Sequence, residues 1–169
     1  MKNIDLFRKD FLNANTWAQR KDGVPIDVLD KLTKEELKIA EAELINIVSL
    51  KDHWPVIGLG YIKSKSALSK LYDLLNSAEG PMKVTIAHSI FQICRDTKMA
   101  DIVLNTMPTI TNPFELIDIL YFLPDFKDEN ITELHHNYRN HTDYLVAYNA
   151  TQSLGLSTDE VVKKFRDKE

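Results

Sequence analysis

The residues best equipped for chemistry gather late in the chain. His135, His136, His141 and Asp143 fall within one short stretch, and His88 and the single cysteine, Cys94, stand apart from it. A metal site on a helix wants ligands three or four positions apart, on one face. His135 and His136 are adjacent, so on a helix they diverge by about 100°. His141 lies in the polar break Asn140-His141-Thr142. No metal site and no cofactor are therefore expected, and His88 reads as a helix-surface or groove residue. One cysteine excludes an intrachain disulfide and a cysteine-based zinc site. Cys94 closes the apolar run Ile90-Phe91-Gln92-Ile93-Cys94, with Arg95 as its only basic neighbour. That pattern predicts a buried, inert thiol. The chain also lacks G-x-S-x-G, a P-loop, and S-x-x-K accompanied by the other lactamase-type motifs. No catalytic constellation assembles, and the expectation is a protein that is not an enzyme.

Charge carries more information. Between Asp96 and Asp143 nine acidic residues face three basic ones, in a chain of net charge -4 and pI near 5.7. One reading is a solvated surface. The other is a negative face that speeds encounter with a basic protein partner. The same balance disfavours nucleic acid, because nothing pulls the chain toward phosphates. The start, MKNIDLFRKD, has no apolar core of signal-peptide length, and no run reaches membrane-spanning length. A cytoplasmic protein with no membrane partner is expected.

These side chains must be carried by helices, since no segment alternates with the period of a strand. The 169 residues fit one domain. Residues 1–32 read as an N-terminal capping helix and loop, and residues 33–169 as stacked helix pairs. Ile4, Phe7, Phe11 and Leu12 give an amphipathic helix over Asn3 to Asn13, and Trp17 should dock on the first repeat. Asp22-Gly23 and Pro25 make Arg20 to Lys31 a loop. Thr33-Lys34-Glu35-Glu36 and Ser157-Thr158-Asp159-Glu160 have the form of capping boxes. Between them, helices are expected to begin near Trp54, Met82, Phe114 and Tyr144, each paired with a mate. The starts are spaced by 28, 32 and 30 residues. The helix Phe114 to Leu123 is apolar on nearly every side and should be the most buried. Gly58 and Gly60 stand inside a helix, where each costs about 1 kcal/mol relative to Ala. Close approach of a neighbouring helix would justify that cost, and a backbone surface opened for a partner is the alternative.

Pro55-x-x-Gly58-Leu59-Gly60-x-Ile62, succeeded by Ala67-Leu68-x-x-Leu71-x-x-Leu74-Leu75, resembles HEAT-like repeats of the short, thirty-residue type. Tyr144 to Gly155 is similar to the same first helix. Met82 to Cys94 and Phe114 to Leu123 depart from it, lacking the Leu-Gly ending. The resemblance covers about residues 34 to 169. It implies an all-α fold, an α-α superhelix of about nine or ten helices, used mainly to bind macromolecules. The His-Glu pairs of HEAT-like hydroxylases are absent, and so is the basic stripe that a HEAT-like DNA glycosylase would need. A small acidic chain of this kind also resembles bacterial toxin-immunity proteins. In HEAT-like stacks the second helix of each pair lines the concave side. By that resemblance Lys70, Asp73, Asp101, Asn105, Glu133, Asn137 and Arg139 would form the partner-binding surface. The expected function is a non-catalytic protein-binding scaffold, with toxin neutralisation as its sharpest form. The alternatives are an enzyme working in the concave groove and a structural module of a larger assembly.

Overall fold

The computed structural model describes residues Lys2–Asp167. Among them the regular structure is helical, with one isolated bridge between Ser49 and Asp52 and no strand. The twelve α-helices are α1 (Asn3–Phe7), α2 (Trp17–Arg20), α3 (Asp27–Asp30), α4 (Lys34–Ile47), α5 (His53–Tyr61) and α6 (Leu68–Ser77), then α7 (Gly80–Cys94), α8 (Lys98–Thr106), α9 (Pro113–Leu120), α10 (Glu129–Tyr138), α11 (Tyr144–Ser153) and α12 (Asp159–Arg166). The two beyond the expected nine or ten are the single turns α2 and α3, in and beside the stretch read as a loop. After Phe7 the first helix continues as a π-helix, Arg8–Leu12. Packing divides the chain into two compact units, the first running up to Ala78 and including Ser89–Asp96, the second comprising Glu79–His88 and the chain from Thr97 onward.

In the first unit, the capping box at Thr33 forms as its sequence requires. The Glu36 N–H donates to Thr33 Oγ1 at 3.2 Å, and the Thr33 N–H donates to Glu36 Oε2 at 3.0 Å. The Ile4 N–H donates to the other oxygen of Glu36 at 3.2 Å, which ties α1 to α4. Phe7 and Phe11 stack at 5.5 Å, and Phe11 tilts against Trp54 at 5.7 Å. Arg20 lies over the Trp54 ring at 4.1 Å and forks onto both oxygens of Asp52, which caps α5. Trp17 does not dock: it is 80% exposed, and the ring of Trp54 is covered by Arg20, one turn on.

The most buried helix of this unit is α5, with Trp54, Pro55, Val56, Gly58, Leu59 and Gly60 all inside. A Cβ on Gly60 would stand 2.7 Å from Ser89 Oγ and 2.9 Å from Ser89 Cα. A Cβ on Gly58 would meet the tip of the Phe11 ring at 2.9 Å and Leu44 at 3.3 Å. Close packing is thus the reason for both glycines. Ser89 completes the contact by donating its hydroxyl to the Val56 carbonyl at 3.0 Å.

In the second unit, α9 packs along α11, and α10 packs against α8 and α11. Leu116, Ile119, Leu120, Leu123, Ile131, Val146, Ala147 and Ala150 are buried. The expectation that α9 would be the most buried helix is corrected. Phe114 is 71% exposed, and Glu115 and Asp118 face solvent. Its apolar residues outnumber the positions that its neighbours cover. The second capping box does not form either: Thr158 has helical backbone angles and makes no capping bond, while Ser157 Oγ accepts from the Asp159 N–H at 3.3 Å.

The helices beginning at His53, Gly80, Pro113 and Tyr144 are spaced by 27, 33 and 31 residues. Each is closed by a left-handed residue. Lys63 (φ 54°) comes after α5, Arg95 (φ 58°) after α7, Lys127 (φ 51°) after the 3-10 turn Leu123–Phe126 beyond α9, and Gly155 (φ 70°) after α11. At Lys63 and at Gly155 the chain makes the same paired bonds. Ser64 and Lys63 donate to Leu59 and Gly60, and Leu156 and Gly155 donate to Thr151 and Gln152. Three of these four terminators are cations, whose charge at a helix C-terminus offsets part of the steric cost of a left-handed L-residue.

Gly60→Ala gains about 1 kcal/mol of helix propensity but forces the Ser89 backbone away, at an overpacking cost of about 1–3 kcal/mol or more. It should lower the melting temperature more than Gly58→Ala, where a ring tip and a side-chain methyl can yield. Equal losses would remove the special role of Ser89. Lys63→Gly relieves the left-handed strain and loses a cation at a helix end, for a net gain of up to about 1 kcal/mol. The gain should widen with added salt as the charge term is screened. Urea melts at two ionic strengths would show it, and a Lys63→Gly variant less stable than wild type at high salt would contradict it.

Candidate protein-binding surface

The seven residues expected to bind a partner fall in both units. Lys70 and Asp73 lie on α6 in the first. Asp73 is exposed, but Lys70 is half-buried and donates its Nζ to the Ile45 carbonyl at 2.6 Å. Its charge is spent on the open carbonyl near the end of α4.

The other five lie in the second unit. Asp101 and Asn105 stand one turn apart on α8, and Glu133 and Asn137 one turn apart on α10. All four are exposed, on two helices that pack together. Among the described residues none of the four side chains has a hydrogen bond or ion pair. Their spacing comes directly from the pattern that builds the helices. On α8 the buried residues are Met99, Ala100, Val103 and Thr106, and on α10 they are Ile131 and His135. Positions 101, 105, 133 and 137 are what such stripes leave outside. Arg139 differs: it is half-buried, and its Nε has no partner among the described residues.

The titratable groups that stand out in the sequence are committed to structure. His135 is buried, and its Nε2 lies 2.7 Å from Ser153 Oγ. The Ser153 hydroxyl also reaches the Ala150 carbonyl at 3.2 Å, and the imidazole tautomer sets which group donates across the shorter contact. Burial, aided by the charge of His136, pushes the His135 pKa down to about 4. His141 Nδ1 accepts from the Asp143 N–H at 3.0 Å, beside a solvent-open depression of about 630 Å³ that Tyr138 and Pro108 also line. Asp143 itself caps α11 through Val146.

His88 is more enclosed than a surface residue. Its ring stacks on Phe122 at 4.4 Å, leans on Phe126, and sits 2.7 Å from Asp125 Oδ2 through Nε2. A His–Asp pair can orient an imidazole as a base. Here it joins α7 to the turn after α9, a contact that the sequence separation of 37 residues conceals.

Cys94 is corrected from buried to exposed. It occupies the last turn of α7, with its thiol 3.3 Å from the Ile90 carbonyl and 3.9 Å from Tyr72 Oη. Tyr72 donates to Asp96 at 2.7 Å. That hydrogen bond first, and burial next, raise the Tyr72 phenol well above its usual range.

Among the described residues, no group of three or more His, Cys, Asp and Glu side chains is placed to hold a metal, and no helix is long and apolar enough to cross a membrane. The chain matches no protein-family model, no curated protein and no solved structure.

The His135 environment makes a pH prediction. The folded protein keeps this imidazole neutral down to about pH 4, while the unfolded chain protonates near its ordinary 6.5. Stability from this group is complete above pH 6.5 and is lost as pH falls toward 4, by about 3 kcal/mol. In His135→Gln the loss between those pH values should be correspondingly shallower. Parallel pH dependence in denaturant melts of the two proteins would contradict it.

Proposed function

We propose that this chain is a non-catalytic protein-binding module whose second unit presents α8 and α10 to a basic partner. The observation that carries the reading is the set of four unengaged polar side chains, Asp101, Asn105, Glu133 and Asn137, on two adjacent helices. Side chains held by no internal partner are free to exchange water for a partner's donors. In a stretch with nine acidic and three basic residues they would do so in a negative field. The repeated helix spacing and the matching terminations of α5 and α11 support the HEAT-like reading of the chain. Neutralisation of a basic bacterial toxin is the sharpest form of the proposal, because rapid, charge-steered encounter suits a protein that must reach its target first. Arg139, just past the end of α10, stands one turn beyond the buried His135 and is itself half-buried, so it lies off the exposed stripe of Glu133 and Asn137.

The test is the double charge reversal Asp101→Lys/Glu133→Lys, with the wild-type chain immobilised to capture a partner from its native lysate at low and moderate salt. One stoichiometric basic partner is expected. The double variant should weaken its capture more than tenfold, chiefly through slower association. Unchanged affinity would remove the α8–α10 face from consideration.

A further inference from the structure

The large apolar side chains left in solvent do not lie on α8 or α10. In the second unit they lie chiefly on α9, on α11 and just beyond them: Phe114 at 71% exposure, Tyr121 at 44%, Leu145 at 40%. Tyr121, in the helical turn that ends α9, donates its hydroxyl toward Asn149 and Gln152 of α11, at 2.8 Å to each oxygen. That bond aligns the outward stripes of two helices that pack along each other. One heptad before Tyr121 stands Phe114, and one heptad before Gln152 stands Leu145. The two stripes are therefore Phe114, Asp118 and Tyr121 on one helix, and Leu145, Asn149 and Gln152 on the other. Glu115 and Asp118 are exposed beside the apolar residues and hold no ion pair among the described residues.

We infer that the outward face of α9 and α11 is a second docking surface, independent of the α8–α10 face, and that its occupant is a basic amphipathic helix of a protein partner. The apolar residues are spaced to meet the i and i+7 positions of such a helix. The two carboxylates would meet its Lys or Arg residues. An acidic or neutral helix would bury Glu115 and Asp118 without compensation. Phe114 is the anchor, since an exposed aromatic side chain with few rotamers is the kind of residue that dominates interfaces.

The experiment uses the full chain and a labelled synthetic Lys/Leu amphipathic peptide, with a Glu/Leu peptide of the same pattern as control. Affinity comes from fluorescence anisotropy and location from backbone amide shifts. The Lys/Leu peptide should bind with shifts confined to α9 and α11, and the Glu/Leu peptide should not. Phe114→Ser, at an exposed position that leaves the fold intact by circular dichroism, should weaken binding about tenfold or more. Asp118→Lys should weaken it and lower its salt dependence, while Glu35→Lys, with the same change of net charge on α4, should leave it as in wild type. No binding, shifts elsewhere, equal binding of both peptides, or an unaffected Phe114→Ser variant would each overturn the inference. A sedimentation dimer that Phe114→Ser abolishes would overturn it too, by assigning the face to a second copy of the chain.

Discussion

The first unit depends on one distance. Where Gly60 lacks a Cβ, Ser89 approaches so closely that its own Cα lies 2.9 Å from the empty position. Only a glycine on one side and a small residue on the other permit that approach. The hydroxyl of Ser89 then bonds the Val56 carbonyl, which makes a tight contact also a polar one. On its other side α5 receives Phe11 and Leu44 over Gly58. A nine-residue helix of weak intrinsic propensity is in this way held on both flanks. Its cap, Asp52, is held in turn by Arg20, whose guanidinium also covers Trp54. Propensity argues against Gly58 and Gly60, and packing overrules it.

Much of this is legible in the sequence because local chemistry and tertiary need agree. The capping box at Thr33 can be read residue by residue, and the helix starts expected near Phe114 and Tyr144 fall within one residue of the observed ones. The glycine pair announces a close approach, though not its partner, since Ser89 is an ordinary residue of another helix. Three things are hidden. Trp17 has the makings of a core residue, but it stays in solvent, and the ring of Trp54 is covered by Arg20. Phe114 and Cys94 satisfy an apolar pattern yet point out, because periodicity gives a stripe but not its width. The left-handed endings at Lys63, Arg95 and Lys127 carry no sequence signal, for only Gly155 is a residue that prefers that conformation.

The candidate surfaces differ in how far sequence can reach them. Positions 101, 105, 133 and 137 come from helical spacing alone, and the structure leaves their side chains unengaged. Lys70 obeys the same rule and turns instead to the Ile45 carbonyl, since a long flexible cation finds an acceptor that spacing does not reveal. The α9–α11 face is beyond reach for a different reason. It depends on Tyr121 joining two helices about thirty residues apart, and such a pairing is a property of the folded chain. His135 belongs with the core rather than with either surface, buried and held against Ser153.

Lys63, Arg95 and Lys127 are exposed, lie just past helix ends, and recur every 32 residues. A protease that cuts after basic residues therefore meets an accessible bond at the close of three successive helix pairs' leading helices. Gly155 offers it none. Digestion of the native protein would cut at these three ends as well as at the exposed turns that hold Lys21 and Lys51, and fragments 32 residues long would mark the spacing of the three helix ends.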